Sequence, residues 1–187
     1  NTFSAALVRA ILGIIQSIIF APPIREVSMS LDLENILTQS WERYSVPETS
    51  ISAEFPNEPW VEDGDEDDGD GDTIALSLDY SYSGFEIQFD LSLALGQTLE
   101  VSSSERLAED LKKELKANRD LELISVEPRP YDEFPGVVQH MRIKDTGEIV
   151  MQWLIATPED TIFAGVTFTD KRLEAIANRF FASISID

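Results

Sequence analysis

The most constraining stretch of this sequence is a strict alternation. Residues 73–95 read TIALSLDYSYSGFEIQFDLSLAL. Ile74, Leu76, Leu78, Tyr80 and Tyr82 alternate with Ala75, Ser77, Asp79 and Ser81; beyond Ser83-Gly84, Phe85, Ile87, Phe89, Leu91, Leu93 and Leu95 alternate with Glu86, Gln88, Asp90, Ser92 and Ala94. Side chains on a strand point to opposite faces in turn, so period two on both sides of a Ser-Gly turn dictates an antiparallel hairpin with one apolar and one polar face. An apolar sheet face needs a covering layer. A helix suited to it follows directly: Ser102 and Glu105 have the spacing of a capping box, and Leu107, Leu111 and Leu115 share one helical face until Asn118.

The rest of the chain reads as α+β. Strands are expected over 121–126, 137–143, 148–156 and 161–168. Asp145-Thr146-Gly147 and Thr157-Pro158-Glu159-Asp160 supply turns between the last three. A closing helix starts at Asp170 and carries Leu173, Ile176, Ala177 and Phe180 at core spacing. Upstream, residues 30–44 read as a short helix or linker and 50–55 as extended. Pro56-Asn57-Glu58-Pro59-Trp60 forms a corner whose prolines forbid a central strand. No internal repeat is visible.

A chain of 187 residues suits one domain with an appendage. The division is an apolar N-terminal segment at 1–24, a linker or short helix at 25–45, and a domain at 46–187 with an acidic loop at 58–72. The outstanding bulk property is charge: 35 acidic against 14 basic residues give a net −21. That field repels phosphate backbones and anionic lipid, so nucleic acid is excluded as a partner and the partners are expected to be cationic or uncharged. The absence of cysteine excludes disulfides, thiolate metal sites and a cysteine nucleophile.

Residues 3–24 read FSAALVRAILGIIQSIIFAPPI, and Pro22-Pro23 stops any helix near Ala21. Residues 5–21 would span roughly 25 Å as a helix, the lower edge of a bilayer's hydrocarbon core. Leu7, Ile11, Leu12, Ile14, Ile15, Ile18, Ile19 and Phe20 are the expected membrane or partner contacts, and a stripe of small and polar residues runs through Ala6, Arg9, Gly13, Gln16 and Ser17. Three readings stand: a single transmembrane helix with Arg9 at its inner end, an interfacial or subunit-binding helix, and a signal-peptide apolar core, which Pro22 fits poorly.

No catalytic constellation stands out. Residues 58–72 hold nine acidic side chains and no basic one. Asp63, Asp65 and Asp67 have the first spacings of a calcium loop, but Asp68 stands where glycine is needed and Ile74 where a bidentate Glu belongs. A solvated acidic loop is the favoured reading. His140 is the single histidine, which leaves zinc sites and Ser-His-Asp triads unsupported. Gly64, Gly69 and Gly71 lie among aspartates and do not make a phosphate loop. Trp41, Trp60, Tyr80, Tyr82, Phe85 and Trp153 would line a cleft or pack in the core, and core packing is favoured. The expectation is a non-enzyme without cofactor.

The order WERYS, ISAEFPNEPW, long hairpin, capped helix, YDEFPGVVQHMRI, apolar hairpin and RFFASISI resembles the PsbP-like superfamily over residues 41–186. That superfamily includes the extrinsic photosystem PsbP proteins, the yeast Ran-binding release factor and DcrB-like bacterial lipoproteins. The marks are Phe55, Pro56 and Pro59, then Phe134, Pro135 and Gly136, then Phe180 or Phe181 with Ser183; all are structural. The resemblance implies an α/β/α sandwich around an antiparallel sheet, and a protein that binds or stabilises a larger assembly. No functional residue carries over. With the apolar segment it points to an accessory subunit of an integral membrane complex, with the acidic domain on the periplasmic or lumenal side; a cytoplasmic placement is the alternative. The alternative function is a soluble acidic inhibitor or immunity-type protein that binds a basic partner.

Overall fold

The alternating stretch forms the hairpin its periodicity requires. Strands β4 (Thr73–Tyr82) and β5 (Phe85–Ala94) pair antiparallel in unbroken register, from Thr73 opposite Ala94 to Tyr82 opposite Phe85. The computed structural model describes residues 33–63, 73–82, 85–94, 99 and 101–187. Before the hairpin come helix α1 (Leu33–Thr38) and strands β1 (Glu42–Ser45), β2 (Ile51–Phe55) and β3 (Trp60–Asp63). After it come α2 (Ser104–Ala117), β6 (Leu121–Pro128), β7 (Gly136–Ile143), β8 (Ile149–Ala156), β9 (Thr161–Phe168), helix α3 (Glu174–Ser183) and β10 (Ser185–Ile186).

Seven strands form one antiparallel sheet in the order β3-β4-β5-β9-β8-β7-β6, and β1, β2 and β10 form a second with β2 central. Closing β9 against β5 places the hairpin inside the large sheet, with only β3 outside it. The Pro-rich corner is obeyed, since β3 follows Pro59 and occupies an edge.

Each face of the large sheet has its own core. On one, the apolar side of the hairpin packs with β8, β9, the small sheet and α3: Phe55, Phe89, Phe180 and Phe181 are essentially inaccessible, with Leu91, Val166 and Ile176 around them. On the other, Leu107, Leu111 and Leu115 of α2 pack on Val137, Met141, Val150, Leu154 and Phe163. This corrects the expected pairing of helix and hairpin. The leucine stripe of α2 covers β6 to β9, next to which the chain deposits it, while α3 returns to cover the hairpin's apolar face. The α/β/α layering is therefore met with one outer layer shared between a helix and a three-stranded sheet.

Part of the hairpin's other face is also buried, at Ser77, Asp90, Ser92 and Ala94, contrary to its polar appearance, while Glu86 stays exposed. Ser77 is 3% exposed and Asp90 7%. They stand opposite each other in the register, Ser77 Oγ donates to Asp90 Oδ1 at 3.0 Å, and Gln88 Nε2 donates to the same oxygen at 3.4 Å. Polar groups can go inside when they are hydrogen-bonded, and here they bond one another.

Two end signals shift by small amounts. The N-cap of α2 is Ser103 rather than Ser102, its hydroxyl accepting from Arg106 N at 3.3 Å, and Asn118 ends the helix as expected. Of residues 30–44, those from 33 on are described and hold the short α1 and, from Glu42, strand; Ile36 and Trp41 belong to the first core.

The closing segment is tied down at several points. Asp170 caps the 3-10 turn at Lys171–Leu173 by accepting from Arg172 N at 2.8 Å, and its hydrogen bond from the Arg172 side chain lowers its pKa to about 2. At the other end the Ser183 hydroxyl accepts from Glu54 N at 2.9 Å and donates to Phe180 O at 2.7 Å, joining α3 to β2. Phe180 meets Phe55 and Phe89 edge-on at centroid distances of 5.2 and 5.3 Å. Truncating it removes contacts on both sheets at once, so Phe180→Ala is expected to cost about 3–5 kcal/mol in urea denaturation. A loss under about 1 kcal/mol would show that the cluster does not hold the layers together.

Candidate partner-binding site

An arginine stacked on an indole still has five N–H donors to place. Two such pairs occur among the described residues, and they place them differently. Arg179, on α3, lies 4.2 Å from the centre of the Trp41 ring. Its Nη1 donates to Leu37 O at 2.7 Å and Ile36 O at 3.3 Å, and its Nη2 to Gln39 O at 3.1 Å. These are carbonyls at the C-terminal end of α1, which has no basic residue in its own last turn. A cation there satisfies orphan acceptors and complements the helix dipole. Trp41 Nε1 adds a 2.9 Å bond to Ile36 O. The chain is thereby fixed at α1, where it enters the described domain.

Arg129 follows β6 and begins the turn leading to β7. Its N–H donates to Gly136 O at 2.8 Å, its carbonyl accepts from Trp153 Nε1 at 2.9 Å, and its guanidinium lies 4.3 Å from the centre of the same indole. Beyond it Tyr131 and Phe134 exchange two backbone hydrogen bonds, at 3.0 and 2.8 Å, across Asp132-Glu133. Asp132 takes a left-handed φ of 47°, a conformation Asp adopts more readily than most residues. The Tyr131 hydroxyl accepts from Ile186 N at 3.0 Å. Gly136 is required by proximity: a Cβ there would sit 2.4 Å from Arg129 O. Burial pulls the Arg129 pKa below the usual arginine value, and no charged group contributes to that shift.

His140 lies in β7, opposite Met151 of β8 and Ser125 of β6. Burial is the main influence on its pKa and lowers it; Glu174 opposes this, while Lys171 and Arg142 reinforce it. Its Nε2 is buried without a hydrogen-bond partner. Burial thus favours the neutral form of the imidazole. A folded-state pKa below 6.5 means the unfolded chain binds more protons in that window, so this group's contribution is complete above pH 6.5 and is lost as pH falls through the lowered value. His140→Gln is expected to flatten the fall in urea midpoint below pH 6.5; an unchanged slope in the variant would refute this assignment.

The other residues singled out from sequence fall as follows. Trp41 and Trp153 are buried in the first core and Trp60 packs against it, while the side chains of Tyr80, Tyr82 and Phe85 lie outside the described set. Asp63 ends β3; Asp65 and Asp67 lie outside the described residues, as do Leu7, Ile11, Leu12, Ile14, Ile15, Ile18, Ile19 and Phe20. Among the described residues no group of three His, Asp or Glu side chains is placed to hold a metal ion. No described helix is long and apolar enough to cross a membrane. The two arginine–tryptophan pairs have no local sequence signature, although the Phe134-Pro135-Gly136 mark lies beside one of them.

No family model and no curated protein matches the chain. Solved structures do. The chain is similar to cyanobacterial PsbP from Synechocystis, at 12% identity over 89% of this chain and 98% of that one, with a TM-score of 0.45. It is also similar to a Pseudomonas aeruginosa protein of unknown function, at 15% identity over 73% of this chain and 88% of that one, with a TM-score of 0.44. The first of these carries the name of the family that the sequence motifs resemble. A likeness of this degree carries no function across.

Proposed function

We propose that this chain is a binding protein without catalytic activity, an accessory subunit whose acidic domain is held on a larger, membrane-associated assembly by the apolar segment at residues 5–21. The observation that supports this reading most is the clamp on α1. A segment that attaches a domain to something else must transmit load to that domain, and the chain leading out of residues 1–32 meets the body where Arg179 binds three carbonyls of the α1 end and where Ile36 is wholly buried. Residues 5–21 supply seventeen mostly apolar positions for the contact. In this reading the domain faces the periplasmic or lumenal side, with Arg9 toward the cytoplasm.

Affinity purification from native membranes tests the proposal, comparing the full chain with one lacking residues 1–24. The full chain is expected to bring down an integral membrane complex and the shortened chain to lose it. Recovery of the full chain only as a free monomer would overturn the proposal. Capture of a basic soluble protein instead, weakening as salt rises, would favour the inhibitor reading that the charge of −21 motivates.

A further inference from the structure

The fold contains its own control for an arginine on an indole. Arg179 spends its donors on the α1 carbonyls. Arg129 stacks at nearly the same distance, 4.3 Å, yet among the described residues its guanidinium makes no hydrogen bond and no ion pair. Carboxylates are not scarce, since the chain has 35 acidic residues. Arg43, Arg106, Arg142 and Arg172 each pair with one. Meanwhile the backbone of Arg129 is fixed through Gly136 and the Trp153 indole N–H, and the adjoining turn holds Asp132 in a left-handed conformation. This loop therefore presents a partly buried, unpaired cation in a fixed position.

We infer that Arg129, stacked on Trp153 beside the Asp132 turn, is the contact point for a protein partner and receives a carboxylate from an Asp or Glu side chain of that partner. The planar guanidinium fork matches a carboxylate with two parallel hydrogen bonds. The indole behind it excludes water from one face and strengthens the pair. Arginine and aromatic residues in well-packed surroundings are also where interfaces concentrate their binding energy. Phosphate polymers and anionic membranes are disfavoured by the net charge of −21. A single carboxylate on an otherwise neutral or basic surface is not, because screening confines the repulsion to about 8 Å at physiological salt. The inference rests on the reading of the chain as a binding protein and supplies the chemistry of its contact.

The test is isotope-edited NMR on the full chain, following the Arg129 Nε–H and Trp153 indole N–H signals. The probes are acetyl-Leu-Glu-Leu-amide and its Gln counterpart, each taken to about 10 mM at about 0.15 M salt. A saturable shift of both signals by the Glu peptide is expected, weakened about tenfold or more with the Gln peptide and absent in Arg129→Gln. Arg129→Lys should not restore it, because an ammonium cannot form the fork. Equal responses to the two peptides, an equal response to inorganic phosphate, or retained binding in a folded Arg129→Gln would overturn the inference. Should that variant unfold, the comparison of the two peptides on the unaltered chain decides alone. The two proposals fail separately: an unresponsive Arg129 in a chain that still purifies with a membrane complex removes only this contact, and a Glu-specific response without any complex removes only the accessory-subunit reading.

Discussion

The contact on which the architecture depends is the edge-to-face cluster of Phe55, Phe89 and Phe180, with Trp41 against Phe89 at 5.7 Å. Its members come from the small sheet, the centre of the large sheet and the last helix, so one knot of rings joins all the elements of that layer. Aromatic pairs of this geometry add to the area they bury. Around the rings the hydrogen bonds become specific: Ser183 fixes α3 to β2, and Ile186 reaches the Tyr131 hydroxyl. The C-terminal strand and the arginine loop are thus joined by a direct hydrogen bond.

Charge takes little part in holding the fold. The ion pairs Arg43–Glu54, Arg106–Asp110 and Arg142–Glu122 are solvent-exposed, a class of interaction worth roughly 0–1 kcal/mol. A chain at −21 is under net self-repulsion, and the two apolar cores must offset it. The acidic surface is thus available for selecting among partners. The two arginines on tryptophans are a separate population of charge, placed by packing rather than by neighbouring carboxylates.

What could be read in the sequence was whatever is encoded locally. The β4–β5 hairpin and the spacing of Leu107, Leu111 and Leu115 carry their own periodicity, the strand at 161–168 is bounded by its turn residues, and the structure follows both. Position in the sheet is not encoded locally. Ser77 and Asp90 look like a wetted face although both are buried in the fold, and the α2 leucines do not say which face they cover. The candidate site was legible only in part. Phe134-Pro135-Gly136 marks a constrained turn, but Arg129 meets Trp153 because β7 lies between β6 and β8, a fact of strand order that no short window contains. The same holds for Arg179, which reaches Trp41 from the far end of the chain.

Strand β3 lies at the rim of the large sheet and, among the described residues, pairs on one side only, with β4. Its Val61 is 51% exposed, the kind of unfinished border to which a second copy of a protein can add a strand. Glu62 and Asp63 belong to that strand, and the sequence that follows it to Asp72 is acidic. Two copies meeting at this border would bring acidic sequence against acidic sequence, and like charge opposes such stacking. A strongly screening medium would weaken that opposition.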